Sequence, residues 1–133
     1  MRRVAAGFVL VCAAALLAAG CGAGGRASSR ADVTNGEKLF KTTGQCAACH
    51  TLAAAGSSST IGPNLDDAFA GSRAQHFKQS TIQNVVLDQI RLGSGPLSNG
   101  QSKTSVATQM PANLVTGQDA QDVAAYVASV AGK

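Results

Sequence analysis

Hydrophobic and polar positions fall into four regimes along the chain. Residues 4–19 are an unbroken run of apolar and small side chains behind Arg2 and Arg3. Residues 22–31 (GAGGRASSRA) show no periodicity and are dominated by Gly, Ser and Ala, the composition of a flexible linker. From Asp32 onward, apolar positions recur at helical spacing in three places. Val33, Gly36, Leu39 and Phe40 predict a helix over residues 32 to about 42. Asp32 or Thr34 can cap it, and Thr34-x-x-Glu37 has the capping-box spacing. Ile82, Val85, Val86, Gln89 and Ile90 predict a second helix over 81–92, with Gly93 as its stop. Ala120, Val123, Ala124, Val127 and Ala131 predict a last helix over about 118–131, with Thr116-x-x-Asp119 at its start. Between these lie a serine-rich loop (53–61) and a polar stretch over 93–109, long for a compact domain without a functional reason. The pattern is that of one small all-α domain.

The apolar start has a specific meaning. A basic beginning followed by a short apolar run is an export signal, here residues 1–20, and the run is marginally short for a membrane-spanning helix. It ends in Leu17-Ala18-Ala19-Gly20-Cys21, which resembles a bacterial lipoprotein box except that Ala18 stands where leucine is usual. That resemblance implies acylation of Cys21, which would become the new N-terminus. An uncleaved anchor helix or an ordinary signal peptide cut nearby are the other readings, and all imply export. The domains expected are therefore 1–20 (signal), 21–31 (lipidated cysteine and linker) and 32–133. A ten-residue linker of this composition reaches about 17 Å. Loss of Arg2 and Arg3 lowers the formal charge from +4 to +2, and no dense basic patch interleaves with aromatics, so nucleic-acid binding is not expected.

The chemistry concentrates in Cys46-Ala47-Ala48-Cys49-His50. Two thiols three positions apart with a histidine next is the attachment signature of c-type haem. Each thiol can add across one vinyl group to form a thioether, and the imidazole can then reach the iron from the same segment. A redox dithiol or half a zinc site are the competing readings. The first lacks a preceding strand and a βαβ pattern. The second lacks ligands, since the only other histidine is His76 and Cys12 and Cys21 lie at the far N-terminus. With Cys12 in the signal, Cys21 lipidated, and Cys46 and Cys49 on haem, no structural disulfide remains.

Ala31-Asp32-Val33, Gly36-x-x-x-Phe40, the Cys46–His50 motif with Thr51-Leu52, Gly62-Pro63-Asn64-Leu65, Met110-Pro111 and the last helix together resemble class I cytochrome c. The resemblance spans nearly all of 32–133. It implies three main helices and long loops wrapped around one covalent haem, with Gly36 and Phe40 crossing the last helix near Val123 and Val127, beside Tyr126. It implies that the Pro63 carbonyl orients His50, that Met110 is the distal ligand, that Phe69 lines the pocket, and that Arg73 reaches a propionate. Arg73 could equally be a solvated surface residue near Asp66 and Asp67. Met110 would otherwise be an ordinary gap-filling core residue, and His76, a conceivable sixth ligand, reads as a surface residue. The function implied is single-electron transfer at the extracytoplasmic membrane face, not catalysis. The partners would be a quinol-oxidising complex, a dehydrogenase or a terminal oxidase. The alternative is a haem peroxidase or gas sensor whose distal Met110 dissociates. Two departures from the family stand out: there is no tryptophan to bond a propionate, and lysines are sparse.

Overall fold

The computed structural model describes Ser28, residues 30–94 and residues 109–133. The export signal, Cys12, Cys21 and most of the 93–109 stretch lie outside the described residues. Among the described residues no helix is long and apolar enough to cross a membrane.

Helix α1 (Val33–Lys41) starts where an aspartate can satisfy its free amides. Asp32 Oδ1 accepts from the Thr34 and Asn35 N–H groups at 2.9 and 3.0 Å, so Asp32 is the cap and not Thr34. Glu37 pairs with Lys41 one turn on instead of reaching back to close a capping box. Gly36 and Phe40 are buried, whereas Val33, placed on the same face by spacing, is exposed.

The chain then makes a short 3-10 turn at Cys46–Ala48, entered through Gln45 in a left-handed conformation (φ 53°). A two-residue strand β1 (Thr51–Leu52) pairs antiparallel with β2 (Ser57–Ser58), Thr51 opposite Ser58. This clip buries Leu52 completely.

Residues 65–74, for which apolar spacing predicts no helix, form α2 (Leu65–Ala74), which joins the three main helices expected, making four among the described residues. Its signal is a cap. Asn64 Oδ1 accepts from the Asp66 and Asp67 N–H groups, and both acids complement the positive end of the helix dipole. No residue of α2 is fully buried, so it lacks the apolar stripe that betrays a helix in sequence.

Helix α3 (Gln79–Leu92) begins two residues before the expected start and shows two working faces. Ile82, Gln83, Leu87 and Ile90 are buried in the protein, while Val85, Val86 and Gln89 line a cavity. Helix α4 (Gly117–Val130) is the hub, with every side chain from Asp122 to Ala128 buried. A helix buried almost all round must be covered on several sides. Helix α1 lies on one of them, α3 on another, and Arg73 of α2 closes its end.

The expected α1–α4 crossing is tight. A Cβ at Gly36 would drive into the Asp122 carbonyl and reach the Tyr126 Cβ, so Gly36 sits over Asp122 and Tyr126. Phe40 meets Tyr126 edge-on, with ring centroids 5.8 Å apart and planes at 63°. Tyr126 is buried. The Asp122 carboxylate, only 3% exposed, ties the crossing together. It accepts from the Asp32 N–H at 2.9 Å, Asn35 Nδ2 at 2.8 Å and Gln118 Nε2 at 2.7 Å. Contact with α4 begins inside the stretch read as linker, because the Ser28 N–H donates to Gln121 Oε1 at 2.9 Å.

Thr116 does occupy the N-cap position of α4, but its side chain makes no capping bond. Arg73 is half-buried and does not line the cavity. Its Nε donates to the Ala131 carbonyl at 3.1 Å and its Nη2 to the Ala128 carbonyl, capping the negative end of α4. The reason is positional: α2 runs past the last turn of α4, whose carbonyls need donors.

Candidate functional site

Three segments and four helices enclose a cavity of about 750 Å³, within the range of cofactor sites. The 3-10 turn contributes Cys46, Cys49 and His50; the following loop contributes Ile61, Gly62 and Pro63. Leu65, Ala68 and Phe69 come from α2; Val85, Val86, Gln89 and Ile90 from α3; Val123 and Val127 from α4, with Phe40 behind them. Met110, Pro111 and Leu114 close the wall between α3 and α4. Ile61 and Val85, 60% and 54% exposed, are apolar side chains facing this space. No described lining residue carries a formal charge, apart from what His50 can acquire.

The His50 ring is held from two directions. Its Nδ1 lies 2.9 Å from the Pro63 carbonyl oxygen. A carbonyl can only accept, so Nδ1 carries the proton and Nε2 keeps its lone pair for a metal. The ring face lies against Gly62, where a Cβ would be 2.7 Å from Cε1 and 2.9 Å from Nδ1. The Gly62 N–H donates to the Cys49 carbonyl at 2.7 Å, binding the loop to the cysteine turn. The sequence pointed to Pro63; the need for glycine beside it emerges only from the packing.

The two thiols differ. Cys49 is half-buried. Cys46 is buried, with its Sγ 3.4 Å from the Gly44 carbonyl, and burial pushes its pKa up to about 11, helped by Cys49 and opposed by a backbone hydrogen bond. Both cysteines line the same cavity.

Met110 is half-buried and packs against the core edge while lining the cavity. Ser94, which nothing in the sequence singled out, bonds it to the end of α3. The Met110 N–H donates to Ser94 Oγ at 3.1 Å, and the Ser94 N–H donates to the Met110 carbonyl at 2.9 Å. The structure therefore brings Cys46, Cys49, His50, Pro63, Phe69 and Met110 to one space. It leaves out Arg73, and also His76, which is exposed in a left-handed turn (φ 58°) between α2 and α3. Among the described residues no three His, Cys, Asp or Glu side chains converge on a metal-ion site, so the zinc reading of the cysteine pair finds no further ligand there.

The chemistry fits a porphyrin. Apolar walls suit its faces, paired thiols suit its vinyl groups, and an imidazole nitrogen and a thioether suit its iron. The family model for cytochrome c matches residues 33–131, which includes every cavity residue named above. No curated protein and no solved structure gives a match. That family consists of haem-based electron carriers, generally not enzymes. With the match running from α1 through α4, the chain belongs to the cytochrome c family and carries covalently bound haem c.

Proposed function

We propose that the protein is a membrane-anchored monohaem carrier of single electrons, with thioethers at Cys46 and Cys49 and iron ligated by His50 and Met110. The observation that carries this reading is the hydrogen bond from His50 Nδ1 to Pro63, which leaves Nε2 as a free donor in the cavity that Met110 also lines. When bound, haem supplies one-electron cycling between ferrous and ferric iron.

The protein's part is positional and electrostatic. Pro63 and Gly62 hold the imidazole in one tautomer and one plane, and the carbonyl acceptor raises its basicity as a ligand. The apolar walls would limit water at the metal and disfavour extra charge, which with a thioether ligand would favour the reduced state. With His50 and Met110 both retained, the structural change between oxidation states would be small. The two hydrogen bonds that hold Met110 to α3 support a retained ligand over one that leaves to admit peroxide or a gas.

Export and anchoring rest on residues 1–21 of the sequence alone. Mass spectrometry of the mature N-terminus should show acylated Cys21, and a free N-terminus downstream of it would refute anchoring by lipid. A donor such as a quinol-oxidising complex or dehydrogenase, and a terminal oxidase as acceptor, are proposed by family analogy only.

The ligand assignment is tested with Met110→Ala. The weak far-red band of sulfur-ligated ferric haem should disappear and the midpoint potential should fall. Survival of both would remove Met110 from the iron. Rapid carbon monoxide binding to the wild-type ferrous protein at neutral pH would favour the enzyme or sensor reading instead.

A further inference from the structure

We infer that Ser94 is a positioning residue for the distal ligand, setting how readily Met110 leaves the iron; this rests on Met110 being that ligand.

The segment carrying Met110 has no helix or sheet of its own on the N-terminal side of Thr116 among the described residues, so its register depends on what it borrows from α3. It borrows at three points. The Asn113 N–H donates to the Ile90 carbonyl at 2.8 Å, using a carbonyl that the end of α3 leaves without an intrahelical partner. Gly93, at φ 62°, lets the two backbones touch, since a Cβ there would stand 2.5 Å from the Met110 carbonyl oxygen and 2.7 Å from the Ala112 nitrogen. Ser94 and Met110 exchange the two bonds described above.

Of these contacts, only the Ser94 hydroxyl is a side chain acting on Met110 itself, so it can be removed without altering the backbone. Its removal leaves the Met110 N–H without an acceptor while the Ser94 N–H to Met110 bond persists. The same turn is braced from the helix side, where Gln89 Nε2 donates to the Gly93 carbonyl at 2.7 Å. Because α3 packs on α4 and presents Val86, Gln89 and Ile90 to the cavity, Ser94 links the ligand segment to a wall of the site that is itself packed on α4.

An external ligand binds ferric iron only in the fraction of molecules whose methionine has left, so its apparent affinity reports that fraction. Imidazole titration of the ferric holoprotein, followed by the shift of the main haem absorbance band in every variant and by loss of the far-red band where it is present, is the assay. Wild type, Ser94→Ala, Ser94→Thr, Met110→Ala and Arg73→Ala are compared. Loss of one hydrogen bond should make Ser94→Ala bind imidazole about tenfold more tightly. Ser94→Thr, which keeps the hydroxyl, should stay within about twofold of wild type. Arg73→Ala loosens the fold away from the cavity and should leave the affinity unchanged. Wild-type affinity in Ser94→Ala, or an equal rise in Arg73→Ala, would overturn the role of Ser94. A wild-type protein without the band, or a Met110→Ala variant no tighter than wild type, would instead overturn the ligand assignment beneath it.

Discussion

Gly36→Ala sets two effects of opposite sign against each other. Gly36 lies within α1, and in an unpacked helix alanine would stabilise that position by about 1 kcal/mol. Here the added Cβ would lie 2.5 Å from the Asp122 carbonyl carbon and closer still to its oxygen, with the Tyr126 Cβ 2.9 Å away. Two of these atoms are backbone of the most buried helix, so no rotamer change relieves them. Ordinary contact at 3.5 to 4 Å requires α1 and α4 to part by about 1.5 Å or more. Such overpacking costs about 1–3 kcal/mol. Parting also stretches the Asp122 bonds to the Asp32 N–H and Asn35 Nδ2, at about 1 kcal/mol each. Set against the propensity gain, the net loss is about 2–4 kcal/mol. For a domain of this size that lowers Tm by about 10–25 °C. Thermal and guanidinium unfolding of the ferric holoprotein, followed by far-ultraviolet dichroism and haem absorbance, measures it. A Tm equal to or above wild type would mean that propensity wins and the close crossing is not real.

Four further outcomes follow from the contacts described above. Asp122→Ala should cost about 2–4 kcal/mol by denaturant titration, because several donors lose one buried acceptor. Burial pushes the Asp122 pKa up, but hydrogen bonds from Asn35, the Asp32 N–H and Gln118 outweigh it and hold the group below its usual value. Its stabilising contribution is therefore complete above the unfolded pKa of about 4 and is lost as pH falls through the folded pKa, so the acid limb of stability should flatten in Asp122→Asn. Arg73→Ala should lose about 1–2 kcal/mol through the uncapped end of α4 with the midpoint potential unmoved; a shifted potential would mean that Arg73 acts on haem after all. A Cys46→Ser/Cys49→Ser double variant should be largely unfolded, because the cavity walls have little to pack on and the domain is small; native-like helix dichroism would contradict this.

Most of the site could be read in one dimension because its chemistry is local. Cys46, Cys49 and His50 act at fixed spacing within one turn, and Pro63 and Met110 lie in short motifs at known distances from it. The helices α1, α3 and α4 were legible for the same kind of reason: an amphipathic helix repeats its apolar positions every three or four residues. Helix α2 was not, since it buries no full stripe and is announced only by the Asn64 cap.

Tertiary structure alone decided what depends on two backbones meeting. That Gly62 must be bare against the His50 ring, that Gly36 rests on a carbonyl, and that Ser94 takes hold of Met110 sixteen positions away are consequences of distances no spacing rule encodes. Arg73 shows the difference most plainly. Its charge invited pairing with an acid or a propionate, yet it went to the last carbonyls of α4, because the packing of α2 brought those within reach and a helix leaves its last carbonyls without intrahelical donors. Periodicity and motif say what each segment is able to do; which partner it does it with is settled when the helices close around α4.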